Sequence, residues 1–165
     1  MRRPVRVALL ITAVVLVIDR LTKIWALDIV GVEGRSIEVT SFFNLVRVWN
    51  TGVSFSLFQS DSPLGRWALT ILPLLVVAGL VYWVRNSRDG WLWAAVGFVA
   101  GGALGNVIDR VTWGAVADFV DIHAFGYHWP AFNVADASIV GGVAYIALEG
   151  LFKGRQPSPG GSNGA

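Results

Sequence analysis

The sequence predicts a mainly α-helical integral membrane protein, with four transmembrane helices, a small β-sheet on one side of the membrane, and a short helix or loop lid beside it. Three observations lead there. The 165-residue chain is 55% hydrophobic and only 15% charged, well below the quarter or so of charged residues in a soluble domain. Four apolar stretches approach the ~20 residues that cross a bilayer as a helix. Polar and acidic residues gather in the connections on one side. The length suits one unit, residues 1–155, followed by a linker-like tail at 156–165, "QPSPGGSNGA", expected to be disordered.

The spans are expected at about 7–28, 67–84, 91–108 and 134–152. The second and third contain no charge. The first begins with apolar Val7–Ile18 and needs "DRLTKIWAL" to reach full length. Its basic flank and short apolar core resemble a cleavable signal peptide, but Asp19 and Arg20 follow where small residues are needed for cleavage. It reads as an uncleaved anchor. Arg2, Arg3 and Arg6, then Arg85 and Arg88, then Lys153 and Arg155 fall on one side of a four-span topology, which is expected to be the cytoplasm. Trp25 and Trp67 stand where interface anchors belong.

The first outer connection contains "SIEVTSFFNLVRVWNTGVSFSLF" (36–58), rich in β-branched and aromatic residues. It predicts short strands with a turn at "NTG", 50–52. The second, 109–133, mixes aromatics, glycine and acids and is expected to lie flat as a cover. Gly97, Gly101 and Gly105 line one face of span three. They allow a close helix contact, expected to be with span four, where Gly141 and Gly142 offer a similar surface.

Composition removes several functions. The chain has no cysteine, so thiolate chemistry, disulfides and cysteine metal sites are excluded. A net charge of +2 with dispersed basic residues gives no nucleic-acid footprint. The polar groups concentrate at the outer ends of the spans. Asp19 and Lys23 are i, i+4 on span one, Asn106 and Arg110 are i, i+4 on span three, and Asn133 and Asp136 are i, i+3 at the start of span four. Intramembrane polar residues are costly and face a bundle interior or a wet cavity. Each also has a plain structural role open to it: a helix cap for Asn133 or Asp136, a surface ion pair for Asp19 with Lys23, an interfacial pair for Asp109 with Arg110, and solvated loop acids for Asp118 and Asp121. Together they suggest a site.

Two adjacent carboxylates that share a proton can activate water and polarise a carbonyl. Asp109, Asp118, Asp121 and Asp136 are the candidates, with Asp136 best placed on a helix entering the membrane and its partner left open by spacing. A serine–lysine dyad of Lys23 with Ser54, Ser56 or Ser138 is a rival, weakened by Asp19, which raises rather than lowers a lysine pKa. A metal site from Asp121, His123 and His128 is a second rival, with a histidine spacing unlike that of a zinc helix. A conduit is a third, but the middle portions of spans two and three are apolar.

Four blocks in order, "DRLTKIWA" (19–26), "FFNLVRVWNTGVSFSLF" (42–58), "GGALGNVIDRVTWGAVADFV" (101–120) and "FNVADASI" (132–139), resemble those of bacterial lipoprotein signal peptidase, or signal peptidase II. The resemblance covers all but the termini. It implies a four-span protease of the inner membrane with both termini cytoplasmic and a periplasmic sheet, lid and active site. It implies a catalytic pair, Asp118 and Asp136, with supporting roles for Asp19, Lys23, Asn50, Gly52, Asn106, Arg110 and Asn133. It implies no cofactor and no metal. The implied partners are a diacylglyceryl-modified prolipoprotein substrate, cut just before its lipidated cysteine, membrane lipid, and the antibiotic globomycin as inhibitor. A monomer is expected. Departures at Val53, Ser54, Ala117, Ala137 and Ser138 remove no polar group that the chemistry needs.

Overall fold

Small residues decide which helices meet. The computed structural model describes residues 3–52 and 63–153. Its elements are α1 (Arg3–Val30), β1 (Ser36–Thr40), β2 (Phe43–Asn50), α2 (Pro63–Val84), α3 (Gly90–Trp113), β3 (Val116–Ala124), β4 (Tyr127–His128) and α4 (Val134–Lys153). Among the described residues three helices are long and apolar enough to cross a membrane, over Trp67–Val84, Gly90–Trp113 and Val134–Phe152. Helix α3 is the hub, with 67% of its span buried against 11% in each of the other two.

The glycine face of α3 meets α1, not α4 as expected. A Cβ at Gly97 would stand 2.7 Å from the Ala8 carbonyl oxygen, one at Gly101 2.7 Å from the Val15 Cβ, and one at Gly105 2.6 Å from Asp19 Oδ2. The contacts rise in step, so α1 and α3 run parallel. Helix α4 uses a neighbouring face. Gly102 abuts the Ala135 carbonyl oxygen at 2.3 Å from its would-be Cβ, and Gly142 abuts the Ala95 carbonyl oxygen at 2.7 Å. Those contacts run in reverse order, so α4 is antiparallel to α3. A Cβ at Gly141, expected to help, would meet nothing within 4 Å. The four-residue glycine repeat marks a contact with α1, and the expected approach of α3 and α4 is also present, made by Gly102, one residue round the helix from Gly101, and by Gly142.

Two apolar clusters close the bundle at its ends. Ala8, Val84, Leu92, Trp93 and Val96, with Val5, Leu80 and Ile146, join the start of α1 and α3 to the end of α2 and α4. At the other end Ala26 and Val30 of α1 pack on Leu45 and Phe119 of the sheet.

The sheet has the order β1-β2-β3-β4, all neighbours antiparallel. Its first turn is at Ser41–Phe42, and β2 runs to Asn50, where the turn expected at "NTG" leads out of the described residues. The strand expected after Gly52 and the expected disordered tail lie outside the described residues. The second connection is not a flat cover or lid. Gly114, in a left-handed conformation at φ 80°, ends α3, and its N–H donates to the Arg110 carbonyl. The chain then enters β3, an inner strand of the sheet, which pairs Val48 with Asp118 and Asn50 with Val116. Backbone pairing with β2 makes this connection part of the sheet.

Candidate active site

The site forms where the C-terminal end of α3, the start of α4, strand β3 and the end of β2 converge on α1. Its framework begins with the cap of α4. The Asn133 Oδ1 accepts from the Asp136 N–H at 2.9 Å, and the Asp136 Oδ2 accepts from the Asn133 N–H at 3.2 Å. That is a reciprocal capping box, with aspartate at its third helical position. A second free N–H of the same helix end, that of Ala135, donates to Asp19 Oδ1 at 2.9 Å. The capping role open to Asn133 and Asp136 is therefore real, and it leaves their remaining atoms free for the site.

Behind the cap lies a buried ion lattice. Lys23 Nζ reaches Asp19 Oδ2 at 2.8 Å and Asp109 Oδ2 at 2.7 Å, and donates to Asn106 Oδ1 at 3.3 Å. All three charged residues are almost fully buried. The pair Asp19–Lys23 is thus not a surface pair. Asp109 also meets Arg20 at 3.4 Å and accepts from the Ala117 N–H at 3.3 Å, which ties α3 to β3. Arg20 in turn lies over the Trp113 ring, 4.1 Å from its centroid. Sequence reasoning did not include Asp109 or Arg20 among the supporting residues. The available signal was their pairing across helices: Asp109 falls one turn beyond Gly105, as Lys23 falls one turn beyond Asp19.

Three asparagine amides point their N–H groups at Asp118 and Asp136, and each is turned that way by an unambiguous donor. Lysine can only donate, so the Asn106 atom facing Lys23 is its oxygen, and Asn106 Nδ2 donates to Asp136 Oδ1 at 2.8 Å. The Asp136 backbone N–H fixes the Asn133 oxygen, and Asn133 Nδ2 donates to Asp118 Oδ1 at 2.6 Å. The Gly52 N–H donates to Asn50 Oδ1 at 3.1 Å, and Asn50 Nδ2 donates to Asp118 Oδ2 at 3.0 Å. Asn133 therefore bridges the two carboxyls, holding Asp118 with its side chain and Asp136 with its backbone. Asp118 is 2% exposed, not a solvated loop acid. Burial first, and the nearby Asp136 second, push its carboxyl up to about 7 against the opposing pull of the Asn50 and Asn133 hydrogen bonds. Arg110 donates to the Asn106 carbonyl at 3.4 Å and edges a small cleft with Trp67, Thr70 and Val111.

Asp121 stands apart. Three residues along β3 from Asp118, it points to the opposite sheet face. It accepts from Asn44 Nδ2 at 2.9 Å and pairs with His128 Nδ1 at 2.9 Å. Against its burial, which acts to raise it, the bonds from Asn44 and His128 hold it below the ordinary carboxylate range. His123 stacks on His128 with centroids 4.8 Å apart. Both histidines are on strands rather than in a loop. Among the described residues no three His, Asp or Glu side chains are grouped to hold a metal ion. The Lys23 ammonium is occupied by Asp19, Asp109 and Asn106, and the Ser138 hydroxyl donates to the Val134 carbonyl at 2.8 Å. Ser54 and Ser56 lie outside the described residues.

Beside the start of α4 an apolar groove of about 590 Å³ runs between α1, α3 and α4, lined among others by Ile11, Phe98, Ala137, Ser138 and Tyr145.

Residues 11–152 match the family described as Signal peptidase (SPase) II. A lipoprotein signal peptidase of Methylobacterium sp. (strain 4-46) is 43% identical over 148 residues, covering 89% of this chain and 90% of that one. One from Janthinobacterium sp. (strain Marseille) is 43% identical over 138 residues, covering 82% and 83%. Two solved structures, each described as a bacterial membrane enzyme obtained by the in meso method, superpose with TM-scores of 0.79 and 0.74 at 29% and 31% identity. They cover 93% and 86% of this chain, and 92% and 90% of their own. With the match spanning α1 to α4 and every block around the carboxyl pair, the chain belongs to the signal peptidase II family of membrane proteases.

Proposed function

We propose that this protein is an aspartic endopeptidase that removes the signal peptide from diacylglyceryl-modified prolipoproteins, cutting just before the lipidated cysteine, with Asp118 and Asp136 as its catalytic pair. The observation that carries the reading is the set of three oriented amides, Asn50, Asn106 and Asn133, converging on two carboxyls that no lysine or arginine neutralises in an ion pair among the described residues. One carboxylate takes a proton from water, whose oxygen attacks the scissile carbonyl carbon. The other, protonated, donates to the carbonyl oxygen as it gains charge. The tetrahedral intermediate then collapses: the C–N bond breaks and the departing amine takes up a proton from the pair. The shared proton belongs to the pair and changes owner during turnover. Lys23, Asp19 and Asn106 position Asp136; Asn50, anchored by the Gly52 N–H, positions Asp118 and borders the substrate path. Arg110 lies within electrostatic reach of both acids and holds substrate backbone.

The membrane placement follows the same logic. Helix α1 lies alongside α3 from Ala8 to Lys23, a rise of about 22 Å at 1.5 Å per residue, and so acts as a fourth span. The basic clusters around Arg6, Arg88 and Lys153 flank the bundle end closed by Ala8, Val84 and Leu92, which is cytoplasmic. The carboxyl pair then faces the periplasmic side of the inner membrane. The apolar groove beside Ala137 accepts the signal helix, while the acyl chains of the substrate cysteine stay in lipid. That explains a site at the membrane boundary: the lipidated residue cannot leave the bilayer. The enzyme needs no cofactor, works as a monomer and is inhibited by globomycin.

The test is processing of a diacylglyceryl precursor by purified protein in lipid. Asp118→Asn and Asp136→Asn are each expected to abolish cleavage while the protein still inserts and folds. Retained cleavage in either variant removes that residue from the pair. Cleavage of the unlipidated precursor at an equal rate removes the proposed substrate class, and full activity with globomycin removes the proposed inhibitor.

A further inference from the structure

The far end of the sheet carries a second specialised surface. The β3–β4 turn has two residues, Phe125 and Gly126, with φ 52° and 78°. Both positions of such a turn require positive φ, and asparagine or aspartate followed by glycine is the usual solution. A phenylalanine there is a poor choice for the backbone. It is nevertheless present, and it is fully exposed. The turn of the other hairpin lies at the same end of the sheet, since Phe43 pairs with Ile122 and the His123 N–H donates to the Phe42 carbonyl. That turn also displays an exposed phenylalanine, Phe42. Tyr127 and Trp129 on the return path are exposed as well. Residues 39–46 and 122–135 contain no Asp, Glu, Lys or Arg.

The level of this sheet relative to α1 says what covers the patch. Leu45 and Phe119 pack on Ala26 and Val30. On those same turns of α1, Ile24, Trp25 and Ile29 are exposed, with Asp28 among them. Exposed apolar residues mixed with tryptophan and one acid mark the headgroup level of a spanning helix. The sheet therefore stands at that depth, beside lipid rather than above it.

We propose that the sheet end bearing Phe42, Phe125, Tyr127 and Trp129 seats in the lipid headgroup boundary. Tyrosine and tryptophan suit a boundary that is apolar on one side and wet on the other. The depth is limited, because the unpaired backbone groups of the two-residue β4 edge need water and exclude the hydrocarbon core. This contact fixes the height of β3, and so of Asp118 at its other end. The proposal rests on the membrane placement given above and is independent of the catalytic assignment.

The native chain has no cysteine, so single labels are unambiguous. The full chain is reconstituted in phosphatidylethanolamine–phosphatidylglycerol vesicles with an environment-sensitive fluorophore on Phe125→Cys, Phe42→Cys, Leu10→Cys or Glu33→Cys. Labels at 125 and 42 are expected to be blue-shifted, and quenched several-fold more by headgroup-level nitroxide lipid than the label at 33. The label at 10 is expected to be quenched by nitroxide deep in the acyl chains. If iodide in the water reaches 125 and 42 as freely as 33, while 10 stays in lipid, the proposal is overturned and the placement of α1 stands. If 10 is also in water, the four-span placement itself fails. Self-quenching at 125 that scales with protein density, without lipid quenching, assigns the patch to a second copy and overturns the proposal. Because position 42 sits on a separate turn, misfolding of one labelled variant leaves the other to decide.

Discussion

Two pairs of aspartates, all buried except the half-buried Asp136, lie side by side in this protein and are treated in opposite ways. Asp19 and Asp109 face Lys23 and, for Asp109, also Arg20. Asp118 and Asp136 face the neutral amides of Asn50, Asn106 and Asn133. A cation in contact holds a carboxylate in one charge state and makes it a structural strut. An amide orients a carboxyl without neutralising it, which suits the proton sharing proposed for Asp118 and Asp136. Asn106 touches both groups, taking a hydrogen bond from Lys23 and giving one to Asp136. The strut thereby aims the proposed catalytic pair through a neutral amide, with no ion pair between Lys23 and either acid among the described residues.

Substitution separates the two groups most sharply through rate. Asp118→Asn or Asp136→Asn is expected to lower processing by on the order of 10³-fold or more, with thermal stability kept or improved, in an assay of precursor cleavage alongside a melting curve. Lys23→Ala inverts the pattern. It strands two buried carboxylates, and breaking such a pair costs about 3–5 kcal/mol, so unfolding in detergent is expected at much lower temperature. Lys23→Ala combined with Asp109→Asn recovers part of that loss, whereas independent effects would simply add. Smaller again is the packing that keeps the groups adjacent. Gly102→Ala forces a Cβ to 2.3 Å from the Ala135 carbonyl oxygen and is expected to cost about 1–3 kcal/mol. Gly141→Ala, with open space around it, leaves the melting temperature unchanged or slightly higher.

The finest test is pH. Asp118 titrates near 7, raised by burial and by Asp136. On the proposed mechanism, raising pH through that value removes the proton the pair shares, so activity is expected to decline on the alkaline side. The Asn50 hydrogen bond lowers the Asp118 pKa; Asn50→Ala therefore moves the alkaline limb to higher pH. An unmoved limb separates it from Asp118. Stability carries the same sign. A raised carboxyl is no burden below the ordinary value of 3.8, and its cost grows until pH passes about 7. Denaturation followed across that window is expected to show wild type losing stability and Asp118→Asn losing less.

The local pieces of this site were readable along the chain; their assembly was not. Helical spacing put Asp19 with Lys23 and Asn133 with Asp136, and both pairs are present. Adjacency in the chain made Asp109 look like a partner of Arg110, because it is blind to a neighbouring helix; the parallel packing of α1 on α3 gives it to Lys23 instead. Strand β3 was missed for a related reason. Alternation in "VADFVDIHA" is weak when both faces are largely buried, and the pairing that orders it joins residues about 70 positions apart, as with Val48 and Asp118. Spacing left the partner of Asp136 open for that reason; only the family likeness named Asp118.

The side chain of Asn133 begins a helix with one end and grips Asp118 with the other. Folding and turnover consequently share a point of failure. A cell carrying a damaging change there would lose the enzyme through misassembly and degradation, not accumulate an intact but silent copy, so its defect would register first as a missing band on a blot.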